Sequence, residues 1–454
     1  MVMVADLVPH LKRFVNWSGL NEKRKAIVLR VVIAFLLRSG RMSCLQAAGS
    51  IKTEARHRAQ ISRCLARPCW RKIDINAVLR QKLLEREAEQ GLFVFILDAT
   101  LNGQAGAKTE NTYSTGNRKR RPSKGRRFGK YKYAKKSCHC FTMGLLITPS
   151  GVRIPFSKPY HTREYCKKKG LTHRTTAEAA ADLIRDLPLP ETAEVIVLGD
   201  TAYEAKVVQD ACFDRGYYWI FPCNSERVLA GPQGKRPQVR SLLKSWSEWS
   251  RQTLRLAPGQ GKYAIYRRLS PHRIGPKAKP RTYYVHEEKR TVRSVGEVRL
   301  VFSTMKKDLQ TATPDDVKIL MTNAPKLSKR DVIELYSLRW QIELFFKELK
   351  STLGFHQYQF TKFSAVEVWT QLALTAFLYL EWYRVQQVTN RRLTEEQKRW
   401  WRHQRTYGLC KAVCLANQQA ELHYIADRLE TPGGIAKLKR ELRHSFAREY
   451  RAAL

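Results

Sequence analysis

Two aspartates stand where apolar runs of the sequence end. Asp98 follows the run Leu92–Leu97, and Asp200 follows Val195–Leu198 after one glycine. Unbroken apolar runs of this length are typical of strands that are buried on both faces of a sheet. An aspartate at the carboxyl edge of such a sheet either caps the next turn or binds a cation. Capping is the better interpretation of either aspartate alone, but two of them in one chain favour a cation site.

A third carboxylate lies in a long predicted helix. Glu343 belongs to the segment Ser328–Leu353, in which steps of three, four and seven residues place several side chains on one face. The side chains that share this face with Glu343 are Tyr336, Arg339, Lys347 and Lys350. The alternative is an ordinary solvent-exposed face with an i, i+4 pair of Glu343 and Lys347, worth only about 0.2–0.5 kcal/mol.

Two aspartates and one glutamate offer only oxygen ligands, which suit Mg²⁺. Brought together, they can hold two divalent ions about 3.5–4 Å apart. One ion activates the attacking water or 3′-hydroxyl and the other stabilises the leaving oxygen, which serves displacement at a phosphodiester. We therefore expect two Mg²⁺ ions, with Mn²⁺ able to substitute, at Asp98, Asp200 and Glu343.

The composition of the chain indicates a polyanionic partner. Its 454 residues include 83 Lys and Arg against 40 Asp and Glu, a formal net charge of +43. Hydrophobic residues make up 43%, which is enough for a sizeable core and excludes a chain that is disordered throughout. So large a positive charge predicts binding to nucleic acid and argues against a general metabolic enzyme.

The hydrophobic pattern divides the chain into five predicted regions. Helical periodicity dominates both ends, whereas buried strands and capped helices dominate the centre. We predict an α/β protein with a helical DNA-binding domain at residues 1–90, a core in two parts at 91–222 and 327–388, a β-rich insertion at 223–326, and a basic helical domain at 389–454.

Individual elements are predicted from local patterns within these regions. Capping boxes, which open helices, are predicted at Thr175, Ser328 and Ser364. The predicted strands besides the two that precede the aspartates are Cys140–Thr148, Val152–Phe156, Tyr263–Leu269, Thr282–His286, Val298–Thr304 and Lys318–Thr322.

A pair of short helices near the N-terminus is a candidate for DNA contact. Ser43–Ala48, a turn at Gly49 and Ser50, and Thr53–Leu65 have the outline of a helix-turn-helix. Arg58 and Arg63 point outward from the second helix. A plain helical bundle with a basic face is an equally good interpretation.

A basic run lies between the first two predicted strands. Residues 118–136 contain eleven Lys and Arg in nineteen positions and no acid. This composition predicts a loop that binds phosphates, and the alternative is a solvated loop without fixed structure. The candidate DNA-binding residues in it are Arg118, Lys119, Arg120, Arg121, Lys124, Arg126 and Arg127.

Three phrases of the sequence resemble the DDE transposases of bacterial insertion sequences. They are Ile96-Leu-Asp98-Ala-Thr100, Val197-Leu-Gly-Asp200-Thr-Ala-Tyr203 and Tyr336-x2-Arg339-x3-Glu343-x6-Lys350. The third is similar to the Y-R-E-K signature of the cut-and-paste branch. The resemblance implies an RNase H-like core interrupted by a β-rich insertion, and the long interval between Asp200 and Glu343 fits such an insertion.

The resemblance also implies roles for single residues. Asp98, Asp200 and Glu343 correspond to the metal-binding triad, and the remaining signature residues, Tyr336, Arg339 and Lys350, correspond to groups that grip phosphates of the transposon end. Many family members form a DNA hairpin at the cut end and stack a flipped base in an aromatic pocket. Candidates for this pocket are Trp219, Trp246 and Trp249, although a core aromatic of the insertion is the better interpretation of any one of them.

The resemblance implies a transposase that cuts the ends of an insertion sequence and joins their 3′-OH ends to target DNA. Because two ends must be held together, we expect a homodimer on double-stranded DNA, in the bacterial cytoplasm at the nucleoid. The apolar runs Val31–Leu37 and Leu372–Leu380 are short of the roughly 20 residues that cross a bilayer. The alternatives are a domesticated, non-catalytic DNA-binding protein and another RNase H-like nuclease, such as a junction resolvase.

Overall fold

The computed structural model describes most of the chain. The described residues are 7–37, 43–48, 58–67, 70, 73–87, 91–104, 108–115, 136–231, 237–244, 249–254, 261–267, 281–307, 313–437 and 439.

The described elements of the N-terminal region are helices. They are α1 (Leu7–Asn16), α2 (Glu22–Leu37), α3 (Cys44–Ala48), α4 (Arg58–Leu65) and α5 (Ala77–Leu84). The helices α3 and α4 lie where the sequence predicts a helix-turn-helix, and Arg58 and Arg63 are both exposed on α4. The predicted turn at Gly49 and the predicted cap Thr53 lie outside the described residues.

A mixed sheet forms the centre of the molecule. Its strands are β1 (Leu92–Gln104), β2 (Tyr113–Thr115), β3 (Lys136–Ile147), β4 (Arg153–Pro159), β5 (Glu194–Leu198), β6 (Tyr218–Pro222), β7 (Ser250–Leu254), β8 (Arg281–Val292), β9 (Gly296–Thr304) and β10 (Lys318–Thr322). The order is β2-β3-β1-β5-β6-β10-β9-β8-β7, and β4 also pairs with β3.

One half of this sheet is an RNase H-like core. Strand β1 is antiparallel to β3 and parallel to β5, which is in turn parallel to β6. The parallel strands are connected through α6 (Arg163–Lys169), α7 (Thr176–Arg185) and α8 (Lys206–Asp214). The predicted capping box at Thr175 is present and opens α7. The predicted α/β class and RNase H-like core are therefore confirmed.

The other half of the sheet is made by strands of the β-rich region. β10 pairs antiparallel with β6, so the region continues the core sheet without a break. The predicted strand at Tyr263–Leu269 is wrong, because its described part contains a 3-10 turn, Ala264–Tyr266. The turn is anchored to the core, since the Tyr266 hydroxyl donates to the carbonyl of Leu92 at 2.6 Å.

The predicted helix Ser328–Leu353 is interrupted twice. It consists of α9 (Lys329–Tyr336), a 3-10 turn (Ser337–Arg339), α10 (Trp340–Lys347) and a π-helical turn (Glu348–Thr352). The predicted capping box at Ser328 opens it. The first interruption follows from side chains that take the carbonyl of Glu334, since Arg267 and Ser337 both donate to it. A side chain that inserts into the helical hydrogen-bond ladder breaks the helix.

The C-terminal region contains α11 (Phe363–Thr389), α12 (Glu395–His403) and α13 (Thr406–Glu430). The predicted capping box at Ser364 is wrong, since α11 begins at Phe363 and Glu367 pairs with His161 instead. Among the described helices, α11 alone is long and apolar enough to cross a membrane, which the short apolar runs did not predict. Its apolar window is 89% buried inside the protein, as in the core helix of a folded domain.

Candidate active site

The register of the central strands brings Asp98 and Asp200 to the same edge of the sheet. β1 and β5 run parallel, and their last pair joins Ile96 to Leu198. Each aspartate lies two residues beyond that pair. β1 itself continues to Gln104 against β3, so the prediction that Asp98 ends its strand is wrong. The strand that ends there is its parallel neighbour, β5.

Each aspartate accepts a backbone hydrogen bond through one carboxylate oxygen. Asp98 Oδ1 accepts from the amide of Ala99 at 2.7 Å. Asp200 Oδ1 accepts from the amide of Ala202 at 2.9 Å and caps the 3-10 turn Thr201–Tyr203. The capping interpretation is therefore correct for Asp200. Because each bond uses a single oxygen, it orients the carboxylate and does not exclude a cation at the second oxygen.

Arg339 joins Asp98 to Glu343. Its Nη1 lies 3.4 Å from Asp98 Oδ2 and 3.4 Å from Glu343 Oε1, so these two oxygens are at most twice that distance apart. Arg339 ends the 3-10 turn, and α10 then places Glu343 one turn further along. The third predicted carboxylate therefore lies beside the first.

The charges of two of the carboxylates act on the third. Burial raises the pKa of Asp98 to about 6, the hydrogen bond from Ala99 opposes the rise, and the charges of Asp200 and Glu343 add to it. Burial likewise raises the pKa of Tyr203, with a further contribution from the two aspartates. Charges shift a pKa in this way when they lie close together.

The remaining residues on the face of Glu343 differ in their surroundings. Tyr336 is buried, and burial raises its pKa to about 12. Lys350 donates from Nζ to the carbonyl of Leu101 on β1 at 2.9 Å, and burial lowers its pKa. Lys347 is exposed. A single uninterrupted solvent-exposed face is therefore excluded.

A family model for the transposase DDE domain matches residues 89–379. The match begins just before β1, ends within α11 and includes all three carboxylates. It covers more than half of the chain. The chain belongs to the transposase DDE family. A comparison with curated proteins gives no match.

Membership of this family determines the class of chemistry. Transposases with a DDE domain are metal-dependent enzymes that cleave DNA during transposition, so DNA is the partner of this chain. The positive charge of the transposase agrees with such a partner.

The donor set of the transposase site fits a divalent metal ion, because carboxylate oxygens are the ligands that Mg²⁺ prefers. Within the described ranges, however, no group of three or more His, Cys, Asp or Glu side chains is arranged to hold a metal ion. Arg339 lies between two of the carboxylates instead. A metal ion that binds both Asp98 and Glu343 therefore requires the guanidinium to move.

Two residues at the site were not predicted as functional. Lys318, at the start of β10, has its ammonium 4.3 Å from the ring centroid of Tyr336, and its pKa is lowered by burial and by Arg339. Trp340, next to Arg339 in the chain, is 56% exposed. A lysine before a buried strand and a tryptophan in a helix are too common for the sequence to single them out.

Two of the three predicted pocket tryptophans are described, and each packs against another ring of the protein. Trp219 is only 3% exposed and stacks on Phe221 with ring centroids 5.3 Å apart, as expected of a core aromatic. Trp249 is half-buried and stacks on His286. Trp246 lies outside the described residues.

The basic run lies outside the described residues, but the residues that flank it are described. Thr115 pairs with Lys136, so the two described residues that flank the segment 116–135 lie side by side in the sheet. That pair is beside the end of β1, since Gln104 pairs with Ser137. The run that holds Arg118, Lys124 and the other predicted phosphate contacts therefore ends on β3, next to the end of the strand that carries Asp98.

Proposed function

We propose that this transposase cuts the ends of an insertion sequence and joins the freed 3′-OH ends to target DNA, with Asp98, Asp200 and Glu343 as the catalytic triad. The observation that carries the proposal is the convergence of the three carboxylates. The two aspartates share one sheet edge, and Arg339 contacts Asp98 and Glu343 at once. The Y-R-E-K spacing supports the cut-and-paste branch.

The proposed cofactor is a pair of Mg²⁺ ions, for which Mn²⁺ can substitute. When bound, such ions activate the attacking hydroxyl and neutralise the leaving oxygen. The backbone hydrogen bonds of Asp98 and Asp200 hold their carboxylates in fixed orientations before any ion arrives. This preorganisation lowers the cost of assembling the site.

The proposed DNA contacts come from two parts of the chain. Tyr336, Arg339, Lys347 and Lys350 line the face of Glu343, and Arg58 and Arg63 are exposed on α4. We assign terminal-repeat binding to the helical domain at residues 1–90 and to the basic domain at 389–454. The core at 91–222 and 327–388, with its insertion at 223–326, then carries the chemistry. We place this activity in the bacterial cytoplasm, at the nucleoid.

Cleavage of labelled DNA tests the triad. The substrate carries the inverted repeats that flank the reading frame in the source DNA, and the reaction contains Mg²⁺. We expect Asp98→Ala and Glu343→Ala to bind this DNA and to cut none of it, whereas Asp210→Ala, which removes an exposed carboxylate of α8, cuts normally. Retained cutting by either triad variant would reject the assignment.

The same assay separates the two alternative functions. A non-catalytic DNA-binding protein binds the repeats and leaves them uncut in the wild type. A junction resolvase cuts branched DNA and ignores the repeat sequence. Wild-type cutting confined to the repeat ends excludes both.

A homodimer is the assembly that we propose on DNA. Leu415, Leu422 and Leu429 follow one another at intervals of seven residues on α13, Ile425 lies between the last two, and all four are exposed. Heptad spacing of apolar residues is typical of helices that pair with a copy of themselves. In the presence of terminal-repeat DNA, we expect the double change Leu422→Glu and Leu429→Glu to give complexes with one protomer by light scattering, and Tyr407→Glu to leave the dimer intact. An unchanged mass of the double variant would contradict this interface.

A further inference from the structure

Arg339 stands in the position that the reaction requires for a cation. Its Nη1 contacts Asp98 Oδ2 and Glu343 Oε1 at the same distance, 3.4 Å. A positive charge between two carboxylates reduces their mutual repulsion. The guanidinium therefore offsets part of the negative charge of the site when no metal ion is bound.

The contacts of Arg339 are long for ion pairs. Charge-assisted hydrogen bonds between nitrogen and a carboxylate are usually about 2.7–2.9 Å. Arg153, which is fully buried, meets this standard, since it binds Glu348 and Glu381 at 2.9 Å each. The side chain of Arg339 is 19% exposed. The guanidinium is thus shared loosely between two partners and is accessible from solvent.

The proposed function asks Arg339 to grip a DNA phosphate, and a metal ion at Asp98 and Glu343 needs the two carboxylate oxygens that Arg339 Nη1 contacts. Lys318 adds a second positive charge beside Arg339. A DNA phosphate that binds there therefore interacts with two cations, Lys318 and Arg339. The carboxylates of Asp98 and Glu343, in contrast, share Arg339 alone.

We propose that Arg339 is a resident counter-cation, which holds Asp98 and Glu343 while metal is absent and moves to a DNA phosphate when the transposon end binds. This inference rests on the proposed function and deepens it. Arg339 is in this role a positioning residue, because it acts through the carboxylates that it holds. Metal ions and DNA then bind cooperatively, since each makes the site available to the other, and such coupling is reciprocal.

Titration with Mn²⁺ followed by electron paramagnetic resonance tests the first part without any DNA cutting. Arg339→Gln removes the counter-cation, so we expect the metal-free variant to bind Mn²⁺ about fivefold more tightly than the wild type, or more. The matched control is Lys318→Gln, which removes the same charge close by but from a side chain that contacts the ring of Tyr336. We expect a change of less than about twofold for this control. Equal gains in the two variants would overturn the proposal, because they would reflect net charge alone.

Addition of DNA tests the second part. Duplex DNA that carries the terminal repeat should raise the Mn²⁺ affinity of the wild type more than that of Arg339→Gln. Because DNA binds some Mn²⁺ by itself, the increase measured with Arg339→Gln serves as the control for that binding. The same increase in both proteins would overturn the coupling. Arg339→Lys, which keeps the charge on a more compact and more strongly hydrated group, should bind Mn²⁺ with intermediate affinity. If Arg339→Gln does not fold, Arg339→Lys decides the question, and an affinity equal to that of the wild type would overturn the proposal.

Failure of the proposed function gives a different result. Asp98→Ala should abolish Mn²⁺ binding at the site, both alone and combined with Arg339→Gln or Lys318→Gln. If the wild type and Asp98→Ala bind Mn²⁺ alike, the triad is not the metal site. If Asp98→Ala loses Mn²⁺ binding and Arg339→Gln has the same Mn²⁺ affinity as Lys318→Gln, the triad is supported as the metal site. The counter-cation role of Arg339 alone is then rejected.

Discussion

At the scale of single residues, the site combines structural and chemical roles in the same side chains. Asp200 caps a turn with one oxygen, yet its charge contributes to the raised pKa of Asp98. Sequence patterns present capping and cation binding as alternatives, but a carboxylate has two oxygens and can do both. An aspartate after a buried strand is therefore compatible with catalysis even when a cap is observed.

The raised pKa of Asp98 predicts a cost in stability. Because the folded protein holds the proton of Asp98 up to about pH 6, whereas the unfolded chain releases it near pH 4, the free energy of unfolding falls as pH rises between these values. In metal-free protein at about pH 7.5, Asp98→Asn should therefore raise Tm by about 2 °C, with a smaller gain at about pH 5. Thermal melting in EDTA measures it, and Asp210→Asn is the exposed control. A lower Tm for Asp98→Asn at neutral pH would contradict the raised pKa of Asp98.

The tryptophans differ in burial, and their truncation should differ accordingly. Trp219→Ala removes a buried ring and should cost about 3–5 kcal/mol of unfolding free energy in urea. Trp340→Ala removes an exposed ring and should change stability by less than about 0.5 kcal/mol. If Trp340 stacks on a base, its loss should weaken binding to the transposon end by about 1–3 kcal/mol. Unchanged DNA affinity of Trp340→Ala would show that Trp340 does not stack on a base of the transposon end.

The sequence indicated the three carboxylates, but it placed Asp98 at the end of its strand, which is wrong, and it did not predict their contacts. Asp98 and Glu343 were identified from apolar runs and helical spacing. The contact of Arg339 with Asp98 joins residues 241 positions apart, and no local pattern encodes it. Lys318 and Trp340 were missed for the same reason, since their importance comes from the tertiary position of β10 and α10.

At the scale of elements, local signals were reliable where the element depends on its own sequence. Capping boxes at Thr175 and Ser328 open α7 and α9 as predicted. Lengths and interruptions depend on neighbours instead. Strand β1 runs seven residues beyond its apolar run up to Leu97 because β3 continues to pair with it. The break after Tyr336 comes from Arg267, which approaches from the β-rich region.

A buried ion network anchors the end of the helical segment that carries Glu343. Arg153 on β4 binds Glu348, at the start of the π-helical turn, and Glu381 on α11. Removal of Arg153 leaves Glu381 with Arg384 and leaves Glu348 with only a long ionic contact to Arg405 at 3.8 Å, so Arg153→Met should lower the free energy of unfolding by about 3 kcal/mol. The control is Arg185→Met, whose partner Asp214 and own side chain are both exposed, and it should cost less than about 1 kcal/mol. Urea denaturation of both variants measures the difference, and similar losses would show that burial of the network is not decisive.

At the scale of the whole molecule, the net charge of +43 and the fold act together. The charge indicated nucleic acid before any element was assigned, and family membership now makes DNA the partner. The five predicted regions remain a proposal. The sheet shows why boundaries at the β-rich region are hard to read from sequence, since β10 pairs directly with β6 of the core.

The basic run allows the charge to be tested without disturbing the sheet. Because Thr115 and Lys136 pair directly, an Asn-Gly turn can replace residues 116–135 and still connect the two antiparallel strands. Each phosphate contact contributes about 0.9 to the slope of log affinity against log salt. If at least three of the ten Lys and Arg residues between 118 and 135 bind phosphate, the deletion should reduce this slope by about 3. Fluorescence anisotropy with labelled duplex DNA at several salt concentrations measures it.

A second variant separates the charge of the run from its length. Serine at those ten positions keeps all twenty residues of the segment and should give the same reduction in slope as the deletion. If the serine variant keeps the wild-type slope, the run is a solvated loop and its charges do not meet the backbone of the duplex. If only the deletion changes the slope, chain length and not phosphate binding is responsible. A reduction shared by both variants, with thermal stability unchanged, leaves phosphate contact as the cause.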